Sequence, residues 1–146
     1  MTLSDALHVI ARMRECDRRA LVAVCPGMSD EAFAVDRFST DYRFTATAAD
    51  GEPVAIGGAR LSAAGVATLW FVATPKLGEV RTATARFARR LVSGLRGYGV
   101  ARRVEGHVLA DEVVCAKFAA WLGLEFEGCR RKAGANGEDI MIYGKA

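Results

Sequence analysis

Two histidines, four cysteines and a run of arginines are the residues of this chain with chemistry to offer. His107 follows Glu105 by two residues in the alternating stretch Val104-Glu105-Gly106-His107-Val108, so imidazole and carboxylate share one face of a strand. A carboxylate beside an imidazole can orient it, and the pair is a candidate general base for taking a proton from an amine. A lone strand histidine in a purely structural role is the plainer alternative. Asp111 and Glu112 lie just beyond. Cys16, Cys25, Cys115 and Cys129 never reach C-x-x-C spacing, and His8 and His107 are the only histidines that could join them. That spacing argues against a zinc site, and no metal is expected. All four read as reduced thiols, mostly buried. Cys115 falls in a helical stretch with no histidine partner in view, which fits a small buried hydrophobe better than a nucleophile.

The arginines form the second constellation. Arg81, Arg86, Arg89, Arg90, Arg96, Arg102 and Arg103 crowd one stretch, with only Glu79 before them and Glu105 within reach after. A charge run is usually a solvated face with internal pairs; acidic partners are scarce here, so an anion-binding face stands beside that reading as an equal alternative. The net charge of +3 is too small to imply nucleic acid, which is not expected as a partner.

Several elements must position these groups. Ser4-Asp5 reads as a helix start, and Leu7, Ile10, Met13 and Leu21 give one helix over residues 4–23, broken near Cys16-Asp17. Ser29-Asp30-Glu31 opens a second helix to about Val35. From Tyr42 the period becomes two: Tyr42, Phe44 and Ala46 alternate with polar neighbours up to the Asp50-Gly51 turn. Val54 to Leu61 is a second strand, where Gly57-Gly58 signals a bulge or a close backbone approach. Val66 to Ala73 is nearly all apolar, as a strand covered on both faces requires. After Thr74-Pro75, the residues Val80, Ala83, Phe87, Leu91 and Leu95 mark the buried stripe of a helix of about five turns. A strand around Val104 to Val108 follows, then a helix from Glu112 to Leu122 with Val114, Phe118, Trp121 and Leu122 inward. Strands Leu124 to Arg131 and Asp139 to Gly144 end the chain.

This order predicts an α+β fold, with a sheet antiparallel at first, parallel later, and helices on both faces. With 146 residues, one domain spanning 1–146 is expected. No window approaches the ~20 apolar residues of a membrane helix, and Met1-Thr2-Leu3-Ser4-Asp5 lacks a basic lead into an apolar run, so a cytoplasmic location is expected.

That order, with Trp121-Leu122-Gly123-Leu124-Glu125-Phe126-Glu127-Gly128 after the last helix, resembles the GNAT acyltransferase superfamily, whose members often carry an "lGFe.eG" segment there. The resemblance covers essentially the whole chain. Met13-Arg14-Glu15-Cys16-Asp17-Arg18-Arg19, the hairpin Asp50-Gly51-Glu52-Pro53-Val54-Ala55-Ile56-Gly57-Gly58 and Leu69-Trp70-Phe71-Val72-Ala73-Thr74-Pro75 together look like the GNAT-like internal virion protein family of tailed phages. The resemblance implies a GNAT-like mixed sheet, acetyl-CoA as cofactor and an amine as acceptor. It also implies, as the alternative, a catalytically inactive protein working with phage virion or host components, in the host cytoplasm or the virion. A homodimer through the terminal strand edge fits the same picture.

A working GNAT enzyme binds the cofactor diphosphate with backbone amides at the start of its central helix. The usual signature is Q/R-x-x-G-x-G/A, because glycine lets the backbone approach phosphates and the helix dipole favours their charge. Here that segment reads Pro75-Lys76-Leu77-Gly78-Glu79-Val80-Arg81-Thr82. Only Gly78 remains, with Lys76 and Arg81 to supply charge. Val72, Thr74, Lys76, Gly78, Arg81 and Thr82 are therefore the cofactor-binding candidates. Glu79 would repel a diphosphate if turned inward, and on the residues alone an ordinary strand-to-helix turn, with Glu79 favouring the helix start, is the plainer explanation of the segment. The proton-transfer groups common in the superfamily are missing: the strand Val66 to Ala73 has no carboxylate, and the tyrosine of the last helix falls at Ala119. His107 with Glu105 is the substitute catalytic pair.

Overall fold

A computed structural model describes residues 1–146. The first helix expected from the sequence is two. α1 (Leu3–Ala11) starts at Thr2, not Ser4: the Thr2 hydroxyl accepts from the Asp5 N–H and the Asp5 carboxylate accepts from the Thr2 N–H, a reciprocal capping box. α2 (Glu15–Val24) begins after a break at residues 12–14, earlier than Cys16-Asp17. No glycine or proline marks that break; the Arg14 N–H is drawn out to the Ala73 carbonyl at 2.9 Å. α3 (Asp30–Phe38) starts on Ser29, whose hydroxyl accepts from the Ala32 N–H, and runs a turn longer than expected.

Six strands follow: β1 (Tyr42–Thr47), β2 (Pro53–Leu61), β3 (Val66–Ala73), β4 (Arg103–Leu109), β5 (Glu125–Arg130) and β6 (Ile140–Lys145). A short 3-10 turn, Pro75–Glu79, leads from β3 into α4 (Arg81–Gly97), and α5 (Val113–Trp121) joins β4 to β5. They form one mixed sheet in the order β1-β2-β3-β4-β6-β5, in which only the β3–β4 pair is parallel. α1 and α3 pack on one face through Val9, Ile10, Phe33 and Ala34 against Ile56 and Val72. α4 and α5 cover the other through Ala88, Val92, Leu95, Ala119 and Leu122 against Ala59, Ala67 and Val104. The α+β layout with helices on both faces is as expected. No helix is long and apolar enough to cross a membrane.

Both covering helices are rotated from the positions their patterns suggested. On α4 the buried residues are Thr84, Ala88, Val92 and Leu95, while Phe87 is half-exposed. On α5, Val114 and Trp121 are exposed and Ala119 is buried. Small inward residues let both helices sit close to the sheet, and the large apolar residues move to the flanks. Gly57 and Gly58 mark a close approach rather than a bulge: a Cβ on Gly58 would lie 1.9 Å from the Tyr42 carbonyl oxygen, and the register shift falls instead at Ala46/Thr47.

Candidate functional site

The site is a split in the sheet. β3 and β4 pair only at Val66–Arg103, Ala67–Val104 and Thr68–Glu105, and beyond that seam they diverge. Alternation along the β2–β3 ladder turns the Phe71 and Ala73 backbone groups toward the gap, since Thr74 donates to Val54 across β2 at 2.9 Å. The gap opens into a cavity of about 640 Å³ between α4 and α5, lined largely by apolar side chains that include Phe44, Phe71, Leu91 and Phe118. Phe44 and Phe71 have ring centroids 6.5 Å apart, and Phe71 and Phe118 6.0 Å, so aromatic rings line its wall. That volume falls within the range of small-molecule pockets.

The upper end of the split is tied shut by the α1–α2 junction. Arg14 donates its N–H to the Ala73 carbonyl, and the Asp17 carboxylate accepts the Ala73 N–H at 3.1 Å and the Arg14 Nε at 2.8 Å. Burial alone would lower the Arg14 pKa, but the Asp17 hydrogen bond and charge outweigh it and hold the guanidinium in its charged form. Phe71 thus remains the residue whose backbone faces the open part.

At the head of α4, Val80 is the N-cap and offers no side-chain cap. The first helical bond is Thr84 N–H to the Val80 carbonyl at 3.0 Å, which leaves the amides of Arg81, Thr82 and Ala83 free. Arg81 and Thr82 line the cavity, and so does Arg86 one turn further on. Thr84 also lines it; the residue is 6% exposed, and its buried hydroxyl has no hydrogen-bond partner. A buried hydroxyl left unpaired costs about 1–3 kcal/mol unless something else satisfies it.

The other cofactor candidates stand apart from the cavity. Val72 is buried on the opposite face against α1 and α3. Thr74 is buried and caps the 3-10 turn, accepting from the Lys76 N–H at 3.3 Å. Lys76 pairs with Glu52, which also contacts His8 at 3.3 Å. That ion pair holds the Glu52 carboxyl below its usual value and raises Lys76. Gly78 is exposed, and a Cβ there would meet no atom within 4 Å. Glu79 does not line the cavity.

His107 lines the cavity from the β4 side, with Nε2 3.3 Å from Glu105 Oε1. Glu105 also accepts from Arg103 Nε at 2.9 Å, and Arg103 in turn holds Glu127. The Glu105 carboxylate is therefore held by two neighbours, which fixes the imidazole's orientation. Cys115 and Cys16 line the same cavity. Burial, then the nearby Cys16, pushes the Cys115 thiol up to about 11. At neutral pH it is a protonated, inert thiol. Alkylation by iodoacetamide followed by mass spectrometry should therefore label exposed Cys129 first, with Cys115 at least about a hundredfold slower, as two pKa units of lost thiolate require. Equal labelling would restore Cys115 as a nucleophile.

Arg14, Asp17, Thr84 and the phenylalanine wall were not singled out as site residues in the sequence. No local pattern distinguishes them, because each acquires its role from an element distant in the chain.

No family model matches the sequence, and no curated protein matches it significantly. Solved structures do. A GNAT-family acetyltransferase from Bacillus anthracis superposes with a TM-score of 0.74 at 12% identity, over 99% of this chain and 90% of that one. The ribosomal-protein-S5-alanine acetyltransferase from Vibrio fischeri gives 0.71 at 14% identity, over 99% and 89%. The ribosomal-protein-S18-alanine N-acetyltransferase from Escherichia coli gives 0.70 at 21% identity, over 97% and 85%. The chain has the GNAT fold. At these identities the likeness is one of architecture, and the activities named are those of the proteins compared.

Proposed function

We propose that this GNAT-fold protein binds acetyl-CoA in the β3–β4 split and transfers the acetyl group to an amine. One observation carries the reading: an apolar cavity of about 640 Å³ runs from the split to a helix head with three free amides and unneutralised arginines. The donor set suits the cofactor. The amides of Arg81, Thr82 and Ala83, helped by the α4 dipole and by Arg81 and Arg86, would hold the diphosphate. The backbone of Phe71, turned toward the gap, and the orphan hydroxyl of Thr84 would satisfy the amides of the pantetheine arm, and the aromatic wall would exclude water from it. Bound acetyl-CoA supplies a thioester carbon open to attack by a neutral amine. His107, steadied by Glu105, would take the amine proton as the C–N bond forms and the thioester C–S bond breaks, with CoA leaving as a thiolate that takes up a proton from solvent; positioning would supply the rest of the rate enhancement.

A second reading is a GNAT-fold protein that keeps the split without the transfer, as in a phage virion or host-interaction role. It is favoured by the bare wall of the split: β3 has no carboxylate and Ala119 presents no hydroxyl. Calorimetric titration of acetyl-CoA, followed by turnover of a generic amine, separates the two. Binding with turnover, reduced at least about tenfold in His107→Ala, supports transfer. Binding without turnover supports the second reading, and no binding at about 1 mM ligand ends the transfer reading and leaves the second.

Thr84→Val gives a prediction with two opposite signs. The substitution keeps the shape and removes the orphan hydroxyl, so the free protein should gain up to about 1 kcal/mol of stability. Acetyl-CoA affinity should fall about fivefold to tenfold by calorimetry. Unchanged affinity would remove Thr84 from the site.

A further inference from the structure

The outer side of α4 carries a second groove that shares only Arg86 with the cofactor reading. It has a volume of about 800 Å³ and is lined by Arg86, Arg89, Arg90, the small residues of the last turns of α4, Tyr98 and Trp121. None of the three arginines forms an ion pair, whereas six of the molecule's other thirteen arginines do. No acidic residue lies on α4 or in the groove lining. Three uncompensated guanidinium groups within two turns repel one another, and a polyanion would relieve that repulsion.

The aromatic residues narrow the choice of polyanion. Tyr98 is 89% exposed, and its ring lies beside Gly94, 3.8 Å from where a Cβ would sit. The ring is laid along the helix with its outer face bare. At the other end, Trp121 is fixed by Arg89, 5.0 Å from its ring centroid, and by a near-parallel Phe118. Gly94 and Gly97 leave the floor between them without side chains. Guanidinium groups over a bare floor suit phosphates, and an exposed ring suits a nucleobase. An acidic peptide would use the arginines but has no need of the ring.

We propose that this groove binds single-stranded nucleic acid through its phosphates at Arg86, Arg89 and Arg90, with a base stacked on Tyr98. The modest overall charge does not oppose this, because the positive charge is concentrated on one helix face. The contact set is small, so the affinity is that of sequence-independent binding.

The test is fluorescence anisotropy of a labelled oligouridylate of about 12 nucleotides, a length within the usual site size. The expected dissociation constant is on the order of 10 µM at about 50 mM salt, and three phosphate contacts give a log–log salt slope near about −2. Arg90→Gln should weaken binding and flatten the slope by about 0.7. Tyr98→Ala should weaken binding about tenfold with the slope unchanged, since stacking releases no counterions. Both positions are exposed, and circular dichroism checks that both variants fold. No binding at about 50 mM salt overturns the proposal. So do affinities unchanged in both variants, and so does polyglutamate competing as well as the oligonucleotide, which would assign the groove to an acidic protein.

Discussion

Replacing Ala85 by tryptophan is expected to lower acetyl-CoA affinity at least about a hundredfold, or about 2.7 kcal/mol, with little change in stability. Ala85 is half-buried on the second turn of α4 and lines the cavity beside Thr84. An indole there projects into open space rather than into a packed core, so the strain of overpacking is avoided while the channel is blocked. Calorimetry reads the affinity, and thermal unfolding confirms the fold. The contrast is Gly78→Trp. Because Gly78 faces open solvent, that variant should bind within about twofold of the wild type. If Ala85→Trp binds normally and Gly78→Trp does not, the diphosphate sits on the 3-10 turn and the split is not the cofactor site.

The largest expected effect on stability is at Gly58. A Cβ there would lie 1.9 Å from the Tyr42 carbonyl oxygen and 2.9 Å from its carbon. Both are backbone atoms held in the β1–β2 ladder, so neither can move without parting the two strands. Gly58→Ala should cost about 3 kcal/mol or more, which for a chain of this length lowers the melting temperature by about 6–12 °C. Gly57→Ala is the control. Its Cβ would meet the Phe44 ring at 2.7 Å and the Phe71 ring at 3.0 Å. Rings can turn where a ladder cannot, so about 1 kcal/mol is expected. Equal melting temperatures for the two variants would show that the β1–β2 separation is not fixed as described.

Much of this architecture was legible in the residues. β3 was found to the residue because Ala63-Ala64-Gly65 and Thr74-Pro75 bracket an apolar run of the right length. The break between α1 and α2 was misplaced because its cause is tertiary: Ala73, far along the chain, takes the Arg14 amide. Leu95 and Leu122 are buried as expected, but the other inward positions of the two helices were read one position off because apolar bulk was equated with burial. On α4 the inward residues are Thr84 and Ala88, and Phe87 instead packs on Phe44 at 5.0 Å between centroids. For the site, residue types placed His107, Arg81 and Thr82 on the cavity, since strand alternation and helix position suffice for that. Lys76 could not be placed in the same way, because its charge is taken by Glu52 on the neighbouring hairpin. Thr84 is an ordinary helical threonine until its missing partner is seen in three dimensions.

The seam between β3 and β4 amounts to three residue pairs, whereas β2–β3 and β4–β6 are zipped along most of their lengths. Mechanically, the protein is two leaves on a short spine, and its weakest plane passes through the cavity. Any molecule that grips Phe71 on one leaf and His107 on the other staples the leaves together. Occupancy and resistance to unfolding then rise as one quantity, logarithmically with the concentration of whatever fills the gap.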